Sequence, residues 1–369
     1  MRVLILSCNT GQGHNSAATA VKTALIDKGH TCEIIDSLTF TSPKVASLMA
    51  KGHTFVYRHL PGLFRWGYGY AERNRGVFHH NSLIYRFLTY GSSRLYHYCT
   101  SNKFDVIVAA HVFSALMLTD AIDKYELTAK TYFLATDYTC SPSAEQSRLD
   151  GYFIPDEKLT EEFAKYRVPR EKILVSGIPI RSEFYCGTDK EKAKEQFGIS
   201  AEHTHLLMMC GSMGCGPMKQ LAVRLADQLE AECDLSVVCG TNKKLYKKLT
   251  KKLSENKNIH IIGYTDKVST LMDSADLYIT KPGGISVTEA AVKGLPMVFI
   301  DAVAGCEEYN MHYFIQRGGA VTAKGVTELT RLCVNLTSEP KTRRKLSNAL
   351  YDMHIQNGAE RICDYILER

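Results

Sequence analysis

Short apolar runs alternate with longer amphipathic stretches along the chain. Val3–Ser7, Thr31–Ile35, Val106–Ala110 and Lys130–Ala135 have strand length and are rich in branched and aromatic residues. So are Leu206–Cys210, Leu235–Cys239, Ile259–Ile262, Leu277–Thr280 and Met297–Ile300. Apolar residues between them recur at helical spacing, which predicts parallel sheets with crossover helices, an α/β fold. Each half opens as strand, glycine-rich turn, helix. Cys8-Asn9-Thr10-Gly11-Gln12-Gly13-His14 precedes a helix from Ser16 to Asp27, and Gly211-Ser212-Met213-Gly214-Cys215-Gly216 precedes one from Met218 to Ala231. Gly177–Arg181, with the polar stretch from Gly187 to Lys194, reads as the connection. The expected organisation is an N-terminal domain over 1–178, with a C-terminal helix from 350–369 packing back on it, and a second domain over 179–349. Two facing Rossmann-like domains with an interdomain cleft fit this pattern.

The totals narrow the class. A chain of 369 residues suits two ordinary domains better than one core. Apolar and charged fractions of 45% and 23% are those of a soluble globular protein. A net charge of +6 is too mild to specify a partner by itself. The twelve cysteines are scattered, several within apolar strands, and show no CxxC pair or Cys/His ligand spacing. They predict reduced, mostly buried thiols in a cytoplasmic protein and no structural zinc. The N-terminal apolar run is too short for a signal peptide, and no run approaches a membrane-spanning length.

The stretch from Thr280 to Ala291, TKPGGISVTEAA, carries the sharpest chemistry. A strand that delivers Pro282-Gly283-Gly284 into a helix start leaves backbone N–H groups unpaired at the positive end of the helix dipole. That is a ready anion site. Ser286 and Glu289 follow in the first turns. A carboxylate there repels phosphate, so Glu289 is better explained as an acceptor for sugar hydroxyls. Phosphate donors beside a hydroxyl acceptor describe a nucleotide-sugar pocket. In the other loop, Gly211, Gly214 and Gly216 let backbone approach a diphosphate, and Ser212 adds a hydroxyl donor. Its plain alternative is a tight turn without ligand. Both loops follow the carboxyl ends of strands, where open α/β sheets bind ligands.

The first loop nearly matches a dinucleotide fingerprint, with Ser16 in the third-glycine place and Asp36 ending the second strand. Alone it reads as an NAD site. The second loop and the Pro-Gly-Gly–Glu unit argue against a dehydrogenase, which needs one such site. His14, one residue past Gly13, stands at the opening of the first helix and suits a base for an attacking hydroxyl. The helix N-terminus is expected to lower its pKa. It reads equally as a capping or exposed histidine. His111, after Val108-Ala109-Ala110, and Asp137, after Leu134-Ala135-Thr136, are further candidates. Each has a plainer reading as a strand-end residue held by turn backbone.

These residues resemble the monogalactosyldiacylglycerol synthase and processive diacylglycerol glucosyltransferase group of glycosyltransferase family 28. The resemblance covers nearly the whole chain. It is carried by the loop ending in His14, His111, Thr136-Asp137-Tyr138, Tyr152–Pro155, Gly177–Arg181, Gly211–Gly216, Lys281–Gly284 with Glu289-Ala290, and Gly305–Asn310. It implies a GT-B fold and a UDP-hexose donor. Ser212 and Gly283-Gly284 would hold the diphosphate, Glu289 the ribose hydroxyls, the backbone at Tyr264-Thr265 the uracil, and Asn310 the hexose. His14 would be base or orienter. The family inverts at the anomeric carbon in one displacement and needs no metal or other cofactor, and no DxD triplet occurs here. Two departures stand out. Cys306 replaces a glutamine whose amide reads hexose hydroxyls, with Glu307 as a possible substitute. Tyr138–Pro142 also lacks the histidine and tryptophan found downstream in many members.

From Lys51 to Lys103 arginines (Arg58, Arg65, Arg73, Arg75, Arg86, Arg94) interleave with aromatics that include Phe55, Trp66, Tyr68, Tyr70, Phe87 and Tyr90; Glu72 is the only acid. This mix suits an anionic membrane surface. It also reads as ordinary helices with core aromatics and solvated arginines, or as a surface for single-stranded nucleic acid. The resemblance favours the membrane and no nucleic acid. The lysine run from Lys243 to Lys252 reads as a solvated helix face. The expected protein is therefore an inverting hexosyltransferase moving glucose or galactose from UDP to diacylglycerol or a glycosyl-diacylglycerol, peripheral to the inner face of the membrane. The rivals are a lipid II-type N-acetylglucosaminyltransferase, a UDP-sugar epimerase, and a non-catalytic UDP-sugar sensor.

Overall fold

A computed structural model describes residues 1–9, 11–212, 214, 216–300, 302 and 305–368, apart from the side chains of residues 45, 50, 53, 54, 57–59, 61, 64 and 75. Thr10, Met213 and Cys215 of the glycine-rich stretches thus lie outside the described residues, as do the side chains of Arg58 and Arg75. The chain forms two compact units. One comprises 1–181, 303–306 and 356–369, and the other 182–302 and 307–355.

The first unit holds a parallel sheet of β1 (Arg2–Ser7), β2 (Thr31–Asp36), β3 (Val106–Ala109), β4 (Lys130–Leu134), β5 (Gly151–Ile154) and β6 (Ile173–Val175). Its order is β2-β1-β3-β4-β5-β6. The connections contain α1 (Gln12–Asp27), α2 (Pro43–His59), α3 (Pro61–Arg73), α4 (Leu83–Leu88), α5 (Ser92–Asn102), α6 (Val112–Lys124) and α7 (Thr160–Lys165). β1 and β3 are buried almost end to end, as strands covered on both faces must be, which is why they read as unbroken apolar runs. A C-terminal helix, Gly358–Leu367, belongs to this unit. It buries Ile362, Cys363 and Ile366, and Tyr365 meets Tyr132 and Phe153 edge-on. Lys28 pins its outer face through Glu360 and Asp364, both at 3.0 Å.

The helix α1 begins at Gln12, not at Ser16, so Gly13 and His14 lie in its first turn. Asn15 lies near the start of α1. Its Oδ1 accepts from the Ser7 hydroxyl at 2.6 Å and its Nδ2 donates to Asn9 Oδ1 at 2.7 Å, which ties the helix start to the end of β1. Asp36 likewise caps a local turn. It accepts from Leu38 N at 3.0 Å and from Asn9 N at 3.3 Å, so the acid of the dinucleotide-like pattern is occupied by backbone.

The second unit holds β7 (Thr204–Met209), β8 (Cys233–Val238), β9 (Ile259–Ile262), β10 (Leu277–Thr280), β11 (Met297–Phe299) and β12 (Ala320–Thr322). The order β12-β11-β10-β7-β8-β9, read from its other edge, is the 3-2-1-4-5-6 order of nucleotide-binding doubly wound sheets. Its helices are α8 (Lys190–Glu195), α9 (Met218–Gln228), α10 (Lys243–Leu253), α11 (Val268–Ser274), α12 (Gly284–Val292), α13 (Cys306–Gln316, its first residue grouped with the other unit), α14 (Gly325–Thr337) and α15 (Pro340–Tyr351). Leu206, Met208, Leu235, Val237, Leu277 and Ile279 form the heart of its core. In α10 the lysines are exposed while Leu245, Leu249 and Leu253 point inward, so that run is a solvated face.

Candidate active site

In each unit the strand order reverses direction at one point, and there the loops diverge to leave a crevice at the carboxyl ends of the strands. In the first unit this switch point lies between β1 and β3. His14 follows β1 and His111 follows β3, and their rings meet edge-on at 4.5 Å. The Ala110 carbonyl lies 2.9 Å from His14 Nδ1. A carbonyl only accepts, so Nδ1 carries the proton and Nε2 keeps the lone pair a base needs. The Thr136 hydroxyl, 3.0 Å from the same Nδ1, lies 3.4 Å from Asp137 Oδ2, which sets a carboxylate behind the imidazole.

Burial holds the His14 pKa below its ordinary value, against the opposing pull of the Asp137 charge and the Ala110 carbonyl. The expected direction is therefore correct, but the cause is desolvation, not the helix N-terminus. His111 is held differently. It caps α6, its Nδ1 accepting from Phe113 N at 3.0 Å, and it is buried. That ring nitrogen is committed to backbone, and the His111 ring packs against that of His14.

In the second unit the switch point lies between β7 and β10. Gly211–Gly216 follows β7, and Lys281–Gly284 follows β10. Gly214 has φ +54°, and a Cβ there would sit 2.5 Å from the Cys239 carbonyl oxygen, so only glycine fits. Asn242 Nδ2 donates to the Gly214 carbonyl at 3.0 Å, and the Ser212 carbonyl accepts from Thr241 N at 2.8 Å. Ser212 and Gly214 are thereby tied to the turn after β8. At the other loop, Gly283 is the N-cap of α12 with no side-chain cap, and nothing lies within 4 Å of the place its Cβ would take. Gly283 N donates to the Lys281 carbonyl at 2.9 Å, and the N–H groups that follow it in the first turn of α12 have no side-chain cap, the arrangement that attracts anions. Glu289 is buried on the same helix.

The two loops meet through a residue the sequence reading quoted but did not assign. Lys281 is 5% exposed, its Cε would touch a Cβ at Gly216 at 3.4 Å, and its ammonium lies 3.9 Å from Glu307. A buried cation, paired with Glu307, thus sits between the two glycine-rich loops. One residue assigned to the hexose braces the turn after β10. Asn310 is fully buried and its Nδ2 donates to the Pro282 carbonyl at 2.9 Å, so it braces the turn and has no surface for a hexose. Ser286 is hydrogen-bonded to the Tyr278 hydroxyl at 2.6 Å. Tyr264 is 75% exposed after β9, and Thr265 accepts from Lys267 N at 3.1 Å.

Cys306 groups with the first unit, where its thiol lies 3.3 Å from the Tyr68 hydroxyl. Burial first, then the Cys306 thiol, pushes the Tyr68 pKa well up, so its phenol stays protonated. Tyr68 is the second functional candidate the sequence reading missed, since nothing along the chain links positions 68 and 306. No group of histidine, cysteine and acidic side chains among the described residues has the arrangement of a metal site.

The helices α2 to α4 leave a large apolar face uncovered. Trp66 is 64% and Leu83 81% exposed, and Leu48, Phe55, Leu63, Phe87 and Tyr90 are exposed beside Arg65, Arg73 and Arg86. The reading of these aromatics as core therefore fails for most of those described, although Tyr85 is buried. No described helix is long and apolar enough to cross a membrane.

Comparison with known proteins agrees with the two-unit plan. Residues 14–180 match the family model of monogalactosyldiacylglycerol (MGDG) synthase, and residues 218–353 that of glycosyl transferases group 1. A processive diacylglycerol beta-glucosyltransferase of Staphylococcus carnosus is 26% identical, the match covering 99% of this chain and 92% of that one. One from Bacillus subtilis is 24% identical over 100% and 95%. Among solved structures, Acinetobacter baumannii MurG matches with a TM-score of 0.67 at 16% identity, covering 100% of this chain and 99% of that one. A Neisseria meningitidis UDP-GlcNAc 2-epimerase bound to UDP-GlcNAc matches with 0.64 at 15% identity, over 100% of both. The fold is GT-B.

Proposed function

We propose, from a chain that belongs to the monogalactosyldiacylglycerol synthase and processive diacylglycerol glucosyltransferase group of glycosyltransferases, that this enzyme moves a hexose from a UDP-sugar to diacylglycerol or a glycosyl-diacylglycerol. The observation that carries the reading is the pair of glycine-rich loops with Lys281 at the switch point of the second sheet. Backbone N–H groups of Gly211–Gly216 and of the α12 start, with the Lys281 ammonium, bind the diphosphate. Glu289 accepts from the ribose hydroxyls, and the backbone at Tyr264-Thr265 faces uracil. The first unit supplies the base.

The displacement takes one step. The acceptor hydroxyl gives its proton to His14 Nε2, and its oxygen bonds to the anomeric carbon. The bond from that carbon to the diphosphate oxygen breaks, and the electron pair leaves with UDP. Asp137, through Thr136, stabilises the imidazolium that forms. The donor cradle offsets the charge developing on UDP with amide dipoles and one ammonium, so transfer should continue in excess EDTA. The apolar face of α2 to α4, with its arginines, sets the enzyme on an anionic membrane surface at the cytoplasmic side. Each well-placed cation contributes about 1 kcal/mol there. Cys306 and Glu307 take the place of the hexose-reading glutamine.

Incubation with labelled UDP-glucose, UDP-galactose and UDP-N-acetylglucosamine, each with vesicles containing diacylglycerol, tests the reading. Labelled hexosyl-diacylglycerol is the expected product. Sugar appearing only on an undecaprenyl-linked precursor, or epimer and UDP released without lipid, would replace it with one of the rivals.

A further inference from the structure

The second unit contains a cavity that the glycosyl-transfer reading leaves unused. It measures about 630 Å³ and lies beside Ala275-Asp276 and Leu295-Pro296, just before β10 and β11 begin. That is the amino edge of the sheet, opposite the edge that carries Lys281 and the glycine loops. Its size is that of small-molecule pockets.

Its charge is unbalanced. Lys190, Lys293, Arg343 and Arg344 line it against only two carboxylates, Asp273 and Asp276. Both carboxylates are already satisfied by protein groups. Asp273 takes Lys293 Nζ at 2.6 Å and Thr188 N at 3.0 Å; Asp276 takes Lys190 Nζ at 2.6 Å and His205 N at 2.9 Å. Arg343 uses Nη1 alone, on the carbonyls of Leu336 and Thr337, which leaves its Nε and Nη2 without a partner among the described residues. Arg344 has no hydrogen bond or ion pair with any described residue. Neither arginine is paired with a carboxylate of a described residue, and each guanidinium keeps N–H groups suited to bidentate recognition of phosphate.

The wall is also built deliberately on one side. Gly294 has φ +60°, and a Cβ on it would strike the Tyr351 ring at 2.2 Å, so its absence lets the ring close over this end. The Tyr351 hydroxyl then donates to the Lys293 carbonyl at 3.1 Å. The remaining walls are the first and last segments of the unit, Phe184–Thr188 and α15.

We infer that this cavity is a second anion site, taking a soluble phosphate-bearing metabolite no larger than a nucleotide. The inference stands apart from the assignment of the donor cradle. Arg344 and Arg343 grip the phosphate.

The test titrates the full chain, free of nucleotide, in a calorimeter with pyrophosphate and separately with glucose 1-phosphate; the loss in Arg344→Glu reads binding at this cavity, since that substitution leaves the opposite edge of the sheet untouched. Binding of at least one probe is expected. Arg344→Glu should weaken it about tenfold or more, the loss of a charge-assisted contact, while Lys345→Glu, the adjacent exposed position on α15 outside this cavity, should change it less than about twofold. Hydrogen exchange should slow in 184–188 and 340–351 on adding the probe. No heat with either probe, or equal weakening by both substitutions, overturns the site. So does binding confined to vesicles bearing phosphate headgroups, without binding of either soluble probe.

Discussion

The two units each place a glycine-rich loop after their first strand, but their switch points are furnished differently. Between β1 and β3, side chains gather at the opening of α1: His14 is held by the Ala110 carbonyl and the Thr136 hydroxyl, with the His111 ring edge-on to it. Between β7 and β10, the buried Lys281 lies beside Gly216, and α12 opens at Gly283 without a side-chain cap. On the proposed reading the imidazole serves as base, while the ammonium and the loop amides bind the diphosphate. Duplicating a fold does not duplicate a site; the side chain held at the switch point decides.

The sharpest way to break this comparison is to remove the imidazole. His14→Ala should lower kcat by about 10² to 10⁴, the usual contribution of a positioned base, with UDP affinity unchanged in calorimetry. An equal loss in UDP binding would put His14 in the cradle and erase the division of labour. Glu289→Gln probes the other side. Loss of a charged hydrogen-bond acceptor should weaken UDP by about ten- to a hundredfold, with thermal unfolding little changed. Unchanged UDP affinity removes Glu289 from the ribose.

Acidification separates structural from catalytic histidines. His205 is enclosed in the second unit, where burial lowers its pKa from 6.5 to about 4. The unfolded chain takes up this proton at higher pH than the folded one. Stability is therefore fully present above 6.5 and falls as the pH drops from 6.5 to about 4, by about 3 kcal/mol in all. Urea unfolding at stepwise pH should show that slope, and His205→Asn should flatten it. The smallest effect concerns Asp137, whose charge raises the His14 pKa. Asp137→Asn should move the acid limb of kcat/KM further down, by about one pH unit or less. A shift upward would mean that the limb belongs to another group.

Much of this was legible in the chain because buried parallel strands must be apolar throughout. The strands read from the sequence as β1 to β4 and β7 to β11 all appear, within a residue or two at their ends. β5, β6 and β12 escaped for physical reasons. β5 opens with Gly151, which reads as a turn but is small because Tyr132 and Leu174 crowd it, and β6 and β12 are too short for a period to show. Within the site, the glycine loops and His14 were readable as motifs. Lys281 and Tyr68 were not, since their roles depend on neighbours far away in sequence, Gly216 and Cys306. Asn310 was misread for the converse reason: an amide in a motif looks like a ligand contact until its burial against Pro282 is seen.

The most direct test of the account is a crystal structure of the full chain with UDP. The diphosphate should lie on backbone N–H groups of the loop after β7 and of the start of α12, beside Lys281, with the ribose hydroxyls on Glu289. A diphosphate found instead on the α1 start at Gly11–His14, or a cradle left empty with UDP in excess, would contradict it.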